Sequence, residues 1–198
     1  MAITNGYATA AELKTRLDID DTSSDTVIEN VIEATSRAID ALCMRRFYAA
    51  TETRYFQSTD ASQLWVPDLL SVTTLKTDND ADRTYEYTWT TDDYDLLPAN
   101  AALDGWPYNE IAVTPDGDYS FPTNHNAKSV EIAGSWGFAS TTPDAVNEAC
   151  LIVAAQFFMR KDAPWGVSGG SGFIQQIKQV LRDDPQVRAL LGQYRQYL

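Results

Sequence analysis

The chain of 198 residues is long enough for one domain, or for a compact core carrying a large insert. Its hydrophobic fraction of 44% is ordinary for a globular protein, and no apolar run approaches the roughly 20 residues that cross a bilayer. A formal net charge of −13 repels phosphate backbones and argues against ordinary nucleic-acid binding, though not against DNA passing nearby.

The opening stretch MAITNGYATAAELK has no basic region followed by an apolar one, so no signal peptide is expected. Thr9 and Glu12 have capping-box spacing and predict a short helix from Ala10 to Leu17. Asp25 is placed to cap a second, longer helix. Its apolar positions Val27, Ile28, Val31, Ile32, Ile39 and Leu42 follow a 3.6 period, and it should end near Arg45 and Arg46.

The middle of the chain reads as β. In Thr84 to Trp89 the aromatics Tyr85, Tyr87 and Trp89 alternate with polar residues, which predicts a strand with three rings on one face. Further strands are expected at Thr53–Phe56, Gln63–Val66, Val72–Lys76, Glu110–Val113 and Ser129–Ala133. Turn formers separate them at 78–80, 98–100 and 115–118.

Helix returns after Thr142-Pro143. Val146, Ala149, Cys150, Val153, Ala154, Phe157 and Phe158 form a wide apolar stripe that belongs at the centre of a core. Gly166 to Gly172 reads as a flexible hinge. Phe173–Leu181 and Pro185–Tyr197 read as two short amphipathic helices, the second capped by Asp184. From Phe173 onward the chain carries four bases (Lys178, Arg182, Arg188, Arg195) and two acids, leaving −15 on the body before it. A basic tail on an acidic body reads either as a dock for something acidic, such as a neighbouring copy, or as a solvated helix face.

Together these elements give an α+β class. A mainly helical core spans residues 1–52 and 138–162, built from a helix pair and a central helix in the C-terminal half. An antiparallel β-rich insert spans 53–137, a hinge 163–172, and C-terminal docking helices 173–198.

The residues carry little chemistry. His125 is the only histidine and lies in a polar loop, without the serine or cysteine partner that nucleophilic catalysis needs. One histidine and two distant cysteines do not make a zinc site, and Cys43 and Cys150 read as reduced core residues. Asp78, Asp80 and Asp82 open like a calcium loop, but Arg83 stands where glycine is needed and Trp89 where glutamate is needed. Asp92, Asp93 and Asp95 read as acids beside a turn rather than as a glycosidase pair. The glycine-rich stretch lacks the Gly-Lys-Ser/Thr ending of a phosphate loop. The tryptophans at 65, 89, 106, 136 and 165 suit a core or subunit interface, or a carbohydrate platform on the β insert. No catalytic activity, cofactor or metal is expected.

One further pattern lies in the order of short segments. Tyr7-x4-Glu12-Leu13-x2-Arg16-Leu17 precedes Ile32-x-Ala34-x2-Arg37-x-Ile39 and Cys43-x-Arg45-Arg46-Phe47. Then follow Val130-x-Ile132-x-Gly134-x-Trp136-Gly137, Pro143-x2-Val146-x2-Ala149 and a helix ending in Arg160. This succession resembles the tailed-phage head–tail connector family, also called adaptor or head-completion proteins. Tyr94-x3-Pro98-x-Asn100 is similar to longer members that carry a β insert.

The resemblance implies a homo-oligomeric ring, usually a dodecamer, that sits under the portal protein and extends the DNA channel. A tail-terminator or tail-completion protein would attach below it. It implies a place at the virion neck after a period in the host cytoplasm, and DNA passing through without sequence-specific binding. The segment that reaches the portal would here use Trp165, Phe173, Ile174, Ile177, Leu181, Leu190, Leu191 and Tyr194. The alternatives are a glycan-binding or adhesion module and another minor virion structural protein.

Overall fold

The computed structural model describes residues 3–123, 127–159 and 171–196, with the backbone alone for residues 171–174. It is α+β, with five α-helices and one antiparallel sheet among the described residues. The chain forms two compact units, Met1–Phe47 with Thr142–Leu198, and Tyr48–Thr141.

In the first unit, helix α1 spans Ala10–Leu17 and begins with the expected capping box. The Glu12 N–H donates to Thr9 Oγ1 at 3.2 Å, and the Thr9 N–H donates back to Glu12 Oε2 at 2.6 Å. Helix α2 spans Asp25–Cys43. Ser24, not Asp25, precedes its first turn, and Asp25 instead pairs with Lys14 of α1 at 2.7 Å. The helix ends at Cys43, two residues before Arg45, because Met44 adopts a left-handed conformation, φ 57°.

Helix α3 spans Asp144–Met159 and buries Val146, Ala149, Cys150, Leu151, Val153, Ala154, Phe157 and Phe158. Burial over so much of its circumference makes it the central helix of the unit. Helix α4, Ser171–Asp183, and α5, Pro185–Leu191, follow, with a 3-10 turn at Gly192–Tyr194.

Phe47 is the meeting point of the unit's distant segments. Its ring packs edge-on against Tyr7 at 5.7 Å and Tyr194 at 5.5 Å, and its N–H donates to the Tyr7 hydroxyl at 3.0 Å. That hydroxyl donates in turn to Asp40.

The second unit is a six-stranded antiparallel sheet. Its strands are β1 (Ala50–Phe56), β2 (Gln63–Thr77), β3 (Tyr87–Trp89), β4 (Tyr94–Leu97), β5 (Tyr108–Val113) and β6 (Val130–Trp136). The order is β1-β6-β2-β5-β4, with β3 beside the end of β2. Two expectations change here. Gln63–Val66 and Val72–Lys76 are one long strand, because Pro67 sits exposed where the register shifts between Trp65 and Leu69, so it removes no ladder bond. The strand expected at Thr84 keeps only its last three residues. Tyr85 instead lies near Tyr55, ring centroids 6.0 Å apart, and donates to the Lys128 carbonyl at 2.9 Å.

One face of the sheet holds the core, which includes Leu64, Val66, Leu69, Leu75, Trp89, Ile111, Phe121, Val130, Ile132 and Trp136. The Gly-x-Trp-Gly segment is fixed by this packing. Trp136 is fully buried, donates to the Glu52 carbonyl at 3.0 Å and lies 4.4 Å beneath the Arg54 guanidinium. A Cβ on Gly134 would fall 2.2 Å from the Ser71 carbonyl oxygen, and Gly137 holds φ +133° against the Tyr48 carbonyl.

Candidate assembly surfaces

The apolar tail residues are held in the helical unit itself. Ile177, Leu181 and Leu191 are buried, Tyr194 nearly so, and Leu190 half-buried. Helix α4 packs on α2, and α5 packs on α3. Asp184 ties the segment down. Its carboxylate accepts from the Gln186 and Val187 N–H groups, capping α5, and from Gln156 of α3 at 3.1 Å. The Gln196 N–H donates to the Cys43 carbonyl at 3.1 Å. Trp165 and most of the expected hinge lie outside the described residues, as do the side chains of Phe173 and Ile174.

Several of the candidate reactive groups are held by burial or by backbone donors. Cys43 and Cys150 are free and buried, and burial pushes their thiols up to about 11 and about 12. Both oxygens of the buried Asp78 carboxylate accept loop N–H groups, from Ala81 at 2.7 Å and Arg83 at 3.0 Å. Asp80 and Glu86 bring carboxylates within 4.8 Å of it. Asp93 is held in the same way, accepting from the Thr90 N–H at 2.7 Å, the Thr90 hydroxyl at 2.8 Å and the Asp118 N–H at 2.9 Å. His125 lies outside the described residues.

The tryptophans divide. Trp89 and Trp136 are core. Trp106 is 41% exposed, with its ring edge-on to Phe138, and Trp65 is 64% exposed. Trp65 stands opposite Glu110 on β5, which stands opposite Leu97 on β4, so the three share the outer face of the sheet. The sequence alone groups Trp65 with the other tryptophans. The usable signal was alternation: Leu64 and Val66 are in the core, so the residue between them points away.

Charge is concentrated in the same unit. Residues 48–141 contain four bases and fifteen acids, a net of −11, against −2 for the rest of the chain. The helical unit carries a contrasting feature, a groove of about 250 Å³ between α2 and α4. Ala38, Ala41, Leu42, Lys178 and Arg182 line it. Both cations are exposed, and neither forms an ion pair with another described residue.

No protein-family model and no curated protein matches the chain. Solved structures do match its fold, over 100% of its length. A chain from the neck of a native GTA particle computed with C12 symmetry aligns with a TM-score of 0.60 at 18% identity, over 93% of that chain. One from the neck of an empty GTA particle computed with C6 symmetry aligns at 0.58 and 18%, over 94%. One from the virion of a native gene transfer agent (GTA) particle aligns at 0.54 and 17%, over 94%. The structural neighbours are thus chains of gene transfer agent particles, two of them from the neck, and they share this chain's fold.

Proposed function

We propose that this protein is a structural subunit of the neck of a phage-like particle, a connector that forms a ring beneath the portal, extends the DNA channel and gives the tail its attachment surface. The observation that carries this reading is the whole-chain match in fold to chains from virion necks. Those necks were computed with C6 and C12 symmetry, which supports a ring of identical copies, and a dodecamer is the ring order proposed. The concentrated acid of the β unit supports the channel role, because an acidic wall repels the DNA backbone and lets it slide without sticking. The carbohydrate-platform alternative loses Trp89, whose ring is packed in the core between Tyr119 and Phe121.

The portal contact is proposed for the C-terminal segment, at Trp165, Phe173, Ile174, Ile177, Leu181, Leu190, Leu191 and Tyr194. The side chains of Ile177, Leu181, Leu191 and Tyr194 already fill the unit's own core, so they would serve such a contact by holding α4 and α5 on α2 and α3 where the segment meets the portal. Deleting it would therefore uncover apolar faces of the body, so deletion is a poor test. Electron microscopy of the protein mixed with a portal ring tests the assembly, and a ring stacked under the portal is the expected result. Hydrogen exchange of α4 and α5 on portal binding tests the tail. Unchanged exchange there in a complex seen by microscopy would remove the tail from the contact and leave the connector reading intact.

A further inference from the structure

A ring of identical copies needs two different surfaces on each subunit that fit each other, because a head-to-tail contact repeats around the ring until it closes. Resting on the ring reading above, we infer that Trp65 of one copy inserts into the α2–α4 groove of the next, with Glu110 facing Lys178 and Arg182. The two surfaces match in shape and in charge. Trp65 is a large aromatic standing 64% exposed on the outer sheet face, and tryptophan is enriched among the side chains that anchor interfaces. The groove, about 250 Å³ and lined on its α2 side by the small and aliphatic Ala38, Ala41 and Leu42, has room for a ring.

Charge selects the occupant. The knob lies in a unit of net −11, and its cross-strand partner is Glu110. The groove carries two exposed cations that no described acid of its own chain engages. Two β units placed against each other would repel, so a symmetric sheet-to-sheet dimer is disfavoured, whereas β unit against helical groove is attractive. A second copy supplies that combination, and the mildly basic outer face of the tail is put to use.

The test is sedimentation velocity of full-length protein over a concentration series at moderate salt. It compares wild type, W65A, the double variant K178E/R182E, and the charge exchange E110K with K178E. Wild type should associate reversibly. W65A and K178E/R182E should each weaken association by about tenfold or more, the loss expected when a hot-spot residue is removed. E110K alone should weaken it, and adding K178E should recover part of the loss. Because Trp65 is mostly exposed, W65A should keep the wild-type circular dichroism and melting point. The charge exchange asks the same question without touching the ring.

Mixing W65A with K178E/R182E gives the most specific readout. One partner keeps a working groove and the other a working knob, so the mixture should stop at dimers. If wild type associates and both variants associate equally well, this contact is wrong and the ring reading stands. If wild type fails to associate at any concentration, and also fails to form a ring on the portal, the ring reading itself falls and takes this contact with it.

Discussion

The two units of this chain spend their residues differently. The helical unit fills its core with its own tail, ties Tyr7 to Ser36 and Asp40, and has a net charge of only −2. The β unit is closed on one face only. It packs two tryptophans inside, leaves Trp65, Trp106 and Leu103 outside, and carries −11 of the chain's charge. Apolar side chains left in water contribute less to their own unit's stability than buried ones do. The contrast separates a unit of low net charge with its tail packed inside it from a strongly acidic unit with two tryptophans inside and two outside.

The sharpest way to break this contrast is to truncate one tryptophan of each kind in the β unit. Trp136→Ala removes a fully buried ring, its hydrogen bond to the Glu52 carbonyl and its contact with Arg54. It should cost about 3–5 kcal/mol in urea unfolding. Trp65→Ala should stay within about 0.5 kcal/mol of wild type. Equal costs would mean that Trp65 serves the fold, and the division into inner and outer tryptophans would fail.

Gly137→Ala comes next in size. The added Cβ would lie 2.0 Å from the Tyr48 carbonyl oxygen, at a backbone angle L-residues rarely adopt. Strain of this kind costs about 1–3 kcal/mol, with the clash added to it. Gly105 also has a positive φ but no atom within 4 Å of its absent Cβ, so Gly105→Ala should cost less. Urea midpoints of the pair test whether the tight approach, rather than the angle alone, demands Gly137.

These positions also show what could be read from the chain alone. The helices were legible because their signals are local: a capping box at Thr9 and Glu12, a 3.6 period through α2, an apolar surround on α3. The sheet was legible only in part. Pro67 reads as a strand breaker until the bulge beside it is seen, and Tyr94–Leu97 has two adjacent leucines that hide its alternation, so it was not expected as a strand. Tyr85 fits the period of a strand it does not join, because Asp78 binds the loop before it into successive turns. The tail teaches the same lesson about surfaces. An apolar stripe at Ile177 and Leu181 says that a face is covered, and says nothing of what covers it. The α2–α4 groove was out of reach, since it pairs Ala38 and Leu42 with Lys178 and Arg182, about 140 residues further along.

The smallest expected effect separates the units by their response to acid. In the β unit, the Asp118 and Thr90 donors hold the Asp93 carboxyl below the usual carboxylate range. Its contribution is therefore present above the unfolded pKa, near 4, and lost as pH falls through the lower folded value. In the helical unit, burial raises Asp40 above that range despite its bond to Tyr7. The sign reverses there: its contribution is present below the unfolded pKa and lost as pH rises through the folded value. Glu12, Glu148 and Asp184 are lowered and act like Asp93, so Asp40 partly offsets them within its own unit. Every tryptophan among the described residues lies in the β unit, so tryptophan fluorescence during acid titration follows mainly that unit. Asp93→Asn should lower stability at neutral pH and flatten the fluorescence-detected loss below about pH 4. A variant that keeps the wild-type acid profile would show that the three donors around Asp93 hold the loop without drawing on its charge.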